Sequence, residues 1–129
     1  MVVKRIDTGT ITCTTTTATG TIGLLYGKIL KIECVSSASS DFWIYCDAST
    51  ADDGNIVDED ILGATGTKIT VNTTLIIYPV VAEKTVANAT TDPDAYSPLI
   101  ISGTVKYGLA NVAASDTFRI VIYYEPFSG

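Results

Sequence analysis

The densest set of potential ligands in this chain is acidic: Asp52, Asp53, Gly54, Asn55, Asp58, Glu59 and Asp60 fall within one short segment. Calcium binds several oxygen ligands that converge from a flexible loop, so a cation would be sought here first. The EF-hand pattern fails on spacing. With Gly54 at the sixth loop position, Ser49 stands first, Ala51 third, Asp53 fifth and Asp60 last, so two of the essential acidic ligands are missing. The segment reads as a solvated loop, and neither a metal nor a cofactor is expected.

Nucleophilic chemistry fares no better. Serine and cysteine nucleophiles need an adjacent base, and the chain has no His. Paired carboxylates could hydrolyse glycosidic bonds, yet no pair is marked by spacing and a small β-domain rarely forms a deep cleft. The three cysteines, Cys13, Cys34 and Cys46, form no Cys-x-x-Cys motif, and their odd number argues for reduced thiols. No enzymatic activity is expected. The side chains that stand out are aromatic: Trp43, Tyr45 and Tyr123 fall at positions that point away from the core if their neighbours point into it. Outward aromatic residues on strands build protein interfaces or sugar-stacking platforms, so these three are the candidate contact residues.

The elements that would position them have the period of β-strands. In Lys28 to Val35, Leu30, Ile32 and Cys34 share one face while Lys31 and Glu33 share the other. In Asp41 to Ala48, Phe42, Ile44, Cys46 and Ala48 alternate with Trp43, Tyr45 and Asp47. The polar link Ser36 to Ser40 fits a hairpin between the two. Leu99, Ile101, Gly103, Val105 and Tyr107 alternate with Ile100, Ser102, Thr104 and Lys106, and Phe118, Ile120, Ile122 and Tyr124 alternate with Arg119, Val121 and Tyr123. Thr74 to Val81 is nearly all apolar, and Pro79 within it belongs at a strand end, bulge or edge because it cannot donate to a ladder. Thr10 to Thr21 favours strand because threonine is β-branched, with a turn at Gly20. The segments Ser49 to Gly66 and Glu83 to Pro98 carry the Asp, Asn, Gly and Pro residues and read as two long loops.

No segment has a helical period, so the expected fold is an all-β antiparallel sandwich, residues 1–129 forming one domain. Its predicted core is Leu30, Ile32, Phe42, Ile44, Ile101, Val105, Phe118, Ile120 and Ile122. Hydrophobic residues make up 47% of the chain and charged residues 17%, which removes it from the disordered class. A net charge of −6 repels phosphate backbones, so direct nucleic-acid binding is not expected. The apolar runs are strand-sized, too short for a signal peptide or a spanning helix, so no membrane association is expected. Sequons at Asn72 to Thr74 and Asn88 to Thr90 would matter only in a glycosylating compartment.

One resemblance adds to this reading. The block Tyr96-Ser97-Pro98-Leu99-Ile100-Ile101-Ser102-Gly103-Thr104-Val105-Lys106, followed by Ser115-Asp116-Thr117-Phe118-Arg119-Ile120-Val121-Ile122-Tyr123-Tyr124, resembles jelly-roll head proteins of tailed bacteriophages. Tyr78-Pro79 and the Asp-rich link that follows are similar too. The resemblance covers about the last third of the chain and rests on pattern rather than on a catalytic motif. It implies a jelly-roll decoration protein that binds the major capsid protein on the outer surface of an icosahedral shell, assembled in the host cytoplasm as a homo-oligomer, with a trimer favoured. The alternative carried by the exposed aromatics is a receptor-binding or carbohydrate-binding sandwich.

Overall fold

The computed structural model describes residues 2–47, 59–63, 68–82 and 96–127. Among the described residues eleven strands are formed: β1 (Lys4–Asp7), β2 (Ile11–Thr12), β3 (Thr17–Ser36), β4 (Ser40–Cys46), β5 (Glu59–Leu62), β6 (Ile69–Val71), β7 (Thr74–Ile77), β8 (Val80–Ala82), β9 (Tyr96–Pro98), β10 (Ile100–Ala110) and β11 (Thr117–Pro126). Every pairing is antiparallel. The main sheet runs in the order β1-β11-β3-β10-β4-β5, with β2 beside β11, β6 beside β4 and β7 beside β3, while β8 and β9 form a separate ribbon. The fold is all-β, as the period-two patterning requires.

The sheet is folded over on itself. Two strands, β3 and β10, separate β4 from β11 in the sheet order, yet the rings of Phe42 on β4 and Phe118 on β11 lie 5.4 Å apart. That contact is possible only if the two ends of the sheet face one another across a common core. One layer consists of the first part of β3 with β10, β4, β5 and β6. The other consists of β1, β2, β11, the second part of β3, and β7.

The strand shared by both layers is β3, and its two bulges explain how one strand bends enough to do so. Val105 pairs with Gly23 and Lys106 with Thr21, leaving Ile22 without a partner on β10. Tyr123 pairs with Lys31 and Tyr124 with Ile29, leaving Leu30 without one on β11. A bulge inserts one residue, increases the local twist and shifts the side-chain phase. The inward positions therefore run Ala18, Gly20, Ile22, then Leu25, Gly27, Ile29, then Ile32, Cys34, Ser36. The expected core residue Leu30 is corrected by this geometry: it is half-buried, and Ile29 takes the fully inward place. The other eight expected core residues, Ile32, Phe42, Ile44, Ile101, Val105, Phe118, Ile120 and Ile122, are all buried in one cluster.

Three further expectations change. The segment Ser36 to Ser40 does not close a hairpin, because β4 pairs with β10 rather than with β3. It carries the chain from one layer to the other. The buried hydroxyls of Ser36 and Ser40 lie 2.9 Å apart, and Ser40 Oγ donates to the Ala38 carbonyl at 3.0 Å, so the corner's polar groups are satisfied locally. Gly20 lies within β3 opposite Tyr107 instead of forming a turn. The two long loops are shorter than expected, since Glu59–Leu62 pairs with β4 and Tyr96–Pro98 with β8. Pro79 stands between β7 and β8, at a strand end where its missing N–H costs no ladder bond.

Candidate binding surfaces

The three aromatic candidates all occupy outward positions, and each is half-buried. They do not form one surface. Phe42 and Phe118 meet across the core, so Trp43 and Tyr45 on β4 face one side of the sandwich while Tyr123 on β11 faces the other.

Tyr123 is already engaged. Lys31 Nζ lies 4.4 Å from its ring centroid, and its hydroxyl lies 3.5 Å from Glu33 Oε2. Lys31 in turn pairs with Glu33 at 2.9 Å, which raises the lysine pKa and holds the ammonium over the ring. Val121, which shares the outward phase of Tyr123 on β11, is buried. Next to this cluster Arg119 clamps Asp7: Nε donates to Oδ1 at 2.9 Å and NH2 donates to Oδ2. This face therefore carries matched charges, with exposed Val35 opposite Arg119 and exposed Ile76 opposite Glu33.

On the opposite face, Trp43 pairs across the ladder with Gly108, and its ring lies over that glycine. Three consecutive ring atoms, Cε2, Cζ2 and Cη2, all come within 2.5 Å of where a Gly108 Cβ would stand. An edge-on approach would leave the outer two atoms markedly farther away than the middle one, so the ring covers Gly108 with its face. The indole lies flat on β10, and its other face points outward with Lys68 Nζ 5.8 Å from the ring centroid.

Two residues before Trp43 on β4, Asp41 is held from both sides. Thr70 on β6 donates its hydroxyl to Oδ1 at 2.6 Å, and Asn111 donates its amide nitrogen to Oδ2. Asn111 ends β10 in the left-handed region at φ 55, which returns its side chain toward the sheet. These two hydrogen bonds, from Thr70 first and Asn111 second, lower the Asp41 pKa below the usual carboxylate value. Tyr45 lies two residues from Trp43 on the same face, between Asp60 on β5 and Lys106 on β10. Lys106 pairs with Asp47 at 2.5 Å. Thr17, Thr19 and Thr21 stand opposite Ala110, Gly108 and Lys106, so alternate members of the threonine run extend this face as a row of exposed hydroxyls.

A third surface was missed in the sequence. Leu24, Tyr26, Ile100 and Phe127 are 57%, 38%, 59% and 52% exposed. Register brings them together: Leu24 pairs with Thr104, Tyr26 with Ser102 and Lys28 with Ile100. Phe127 continues beyond β11, where its N–H donates to the Tyr26 carbonyl at 3.1 Å. Lys28 and Glu125, 3.6 Å apart, border the patch with opposite charges. The missing signal was phase. Gly23-Leu24-Leu25-Tyr26 has no polar residue to mark its outer face, and the bulge at Ile22 reassigns it.

The acidic set is divided. Glu59 and Asp60 belong to β5, whereas Asp52, Asp53, Gly54, Asn55 and Asp58 lie outside the described residues, as does the sequon at Asn88. Among the described residues no three Cys, Asp or Glu side chains converge as a metal site. Cys13, Cys34 and Cys46 form no disulfide, and all are buried, with Cys46 Sγ donating to the Ser102 carbonyl at 3.8 Å. No protein-family model matches the chain, and no curated protein matches it significantly.

Proposed function

We propose that this chain is a non-enzymatic structural protein that binds the outer surface of an icosahedral capsid and stabilises it, as a decoration protein of a bacteriophage head does. The observation that carries the reading is the apolar patch of Leu24, Tyr26, Ile100 and Phe127 with its balanced Lys28–Glu125 border. Contiguous exposed apolar side chains mark contact surfaces, and a border of matched charge makes attachment depend little on salt. The patch meets the sequence resemblance at Ile100, since Tyr96 to Lys106 supplies β9 and the first part of β10, while Leu24 and Tyr26 lie on β3 and Phe127 follows β11. A net charge of −6 favours the outer side of the shell over the packaged nucleic acid. In this reading the fold is a jelly-roll variant, the partner is the major capsid protein, and the protein assembles in the host cytoplasm as a trimer that matches local lattice symmetry.

The test is co-sedimentation with capsids of the phage that encodes the chain, at low and high salt, together with light scattering of the free protein. Stoichiometric binding that survives high salt and raises capsid resistance to heat supports the proposal. Binding should fall when Tyr26 and Phe127 are changed together to serine. Capsids that neither retain the protein nor gain resistance overturn it, and a free mass equal to the 13.6 kDa chain overturns the trimer.

A further inference from the structure

We propose that the outer face of β4 is a glycan-binding site, with Trp43 stacking on a pyranose ring and the Asp41–Thr70–Asn111 cluster hydrogen-bonding the sugar hydroxyls. The residues are separate from the apolar patch, and the proposal stands whether or not the chain binds capsids.

The argument starts from the attitude of the indole. A tryptophan that stands upright offers an edge, whereas Trp43 is laid flat because Gly108 has no side chain to hold it off the ladder. One ring face is used in covering the backbone, and the other is turned outward with Lys68 Nζ over it, a side chain that a stacking sugar displaces. An aromatic face carries partial negative charge, and the axial C–H groups of a pyranose carry partial positive charge, so the two planar surfaces stack. A ring fixed by the sheet loses little side-chain freedom when it binds.

Beside the ring stands a built polar group rather than a mobile one. Asp41 is fixed through both oxygens, by Thr70 at 2.6 Å and by Asn111, and each oxygen has a lone pair left for a sugar hydroxyl. The Thr70 oxygen, whose hydrogen points to Asp41, is left as an acceptor, and the Asn111 carbonyl is another. A pyranose offers this alternation, an apolar face bordered by hydroxyls in the ring plane. Apolar peptides and lipid tails have nothing to match the ordered carboxylate, and the carboxylate repels phosphate.

Two further observations define the ligand class. Among the described residues the charged groups on this face are Asp41, Asp47 and Asp60 against Lys68 and Lys106, so a neutral sugar is favoured over a polyanionic one. Tyr45 lies two residues beyond Trp43 on the same strand, about 7 Å away at the usual strand rise. A second ring at that distance, with the exposed hydroxyls of Thr17, Thr19 and Thr21 alongside, fits an oligosaccharide better than a monosaccharide.

Trp43 is the sole tryptophan, so its fluorescence reports the site directly. The full chain is titrated with cello-, manno-, malto- and chito-oligosaccharides, with polygalacturonate as the anionic probe. At least one neutral oligosaccharide should shift Trp43 emission and shield it from acrylamide, more strongly than the corresponding monosaccharide. Calorimetry should show binding weakened by about tenfold or more in Trp43→Ala, as for a central aromatic contact, and largely retained in Trp43→Phe. Asp41→Asn should weaken binding while leaving the emission of the free protein unchanged, and it keeps the test informative if Trp43→Ala fails to fold. Tyr123→Ala and Phe127→Ser should bind as the parent does. Failure of every neutral probe to perturb Trp43 at millimolar concentration overturns the proposal, as does binding by polygalacturonate alone, or binding that persists in both Trp43→Ala and Asp41→Asn. None of these results bears on capsid attachment, which involves no glycan probe.

Discussion

Tyr107 lies across Gly20, its partner on β3, with Cζ and Cε1 2.7 and 2.8 Å from where a glycine Cβ would stand. The next residue of β10, Gly108, is covered in the same way by Trp43, but on the opposite side of the sheet. Aromatic rings thus fill the space over two glycines that face in opposite directions, one toward the core and one toward solvent. Cross-strand pairs of this type restore the buried surface that a glycine lacks and fix the register of its strand.

Gly108→Ala therefore creates a collision rather than a filled void. The added methyl group meets ring atoms of Trp43, and the indole must lift from the ladder. Stability should fall by about 1–3 kcal/mol, as for overpacked sites. Because Trp43 is the only tryptophan, its emission should move to the red and its acrylamide quenching should increase. Unchanged emission would show that the ring does not rest on Gly108.

The bulge at Leu30 gives a paired prediction from adjacent residues. Ile29 is 2% exposed and belongs to the core, while Leu30 is only half-buried at the phase shift. Ile29→Ala should cost about 2–5 kcal/mol in denaturant unfolding and Leu30→Ala much less, since truncation costs scale with burial and the cavity left behind. The reverse order would place Leu30 in the core and remove the bulge.

The same residues show what could be seen in advance. Alternation in Phe42 to Cys46, where Trp43 and Tyr45 separate the core residues, gave strand phase, core membership and the outward position of Trp43; Phe118 to Ile122 kept its phase although Val121 between Ile120 and Ile122 is itself buried. In Ile22 to Lys31 the apolar residues are too continuous for alternation to choose a face, and two bulges shift the phase twice. That ambiguity concealed both Ile29 and the patch around Tyr26. The Asp41–Thr70–Asn111 cluster was invisible for another reason. It joins residues 29 and 70 positions apart through strand pairing and one left-handed asparagine, neither of which leaves a local pattern.

The thiols should be silent in the folded protein. Cys34 is buried in the core, and desolvation pushes its pKa up to about 12. Burial raises Cys13 as well, helped by the nearby Asp116 carboxylate. The thiolate is the reactive form, so iodoacetamide at neutral pH should modify these positions only as fast as the protein opens. Mass spectrometry should show no rapid adduct in native buffer and three in denaturant, matching the three cysteines of the chain. Rapid native labelling of Cys34 would contradict its core position.

The last prediction concerns acid. Asp7 accepts hydrogen bonds from Arg119 and from the Gly9 backbone N–H, and these hold its pKa far below the ordinary value of 3.8. A carboxylate depressed in the folded state binds protons more readily when the chain unfolds. Its contribution is therefore complete above pH 3.8 and is lost as pH falls through the depressed folded value. The clamp joins the start of the chain on β1 to β11, so its loss should loosen that edge of the sandwich first. Asp7→Asn should lower the unfolding midpoint at neutral pH, and the difference from the parent should shrink as both are acidified below pH 3.8. High salt should reduce the same difference, because the pair is partly exposed to solvent. A difference that stays constant from neutral to strongly acidic pH would mean that Asp7 acts through packing or turn geometry rather than through its charge.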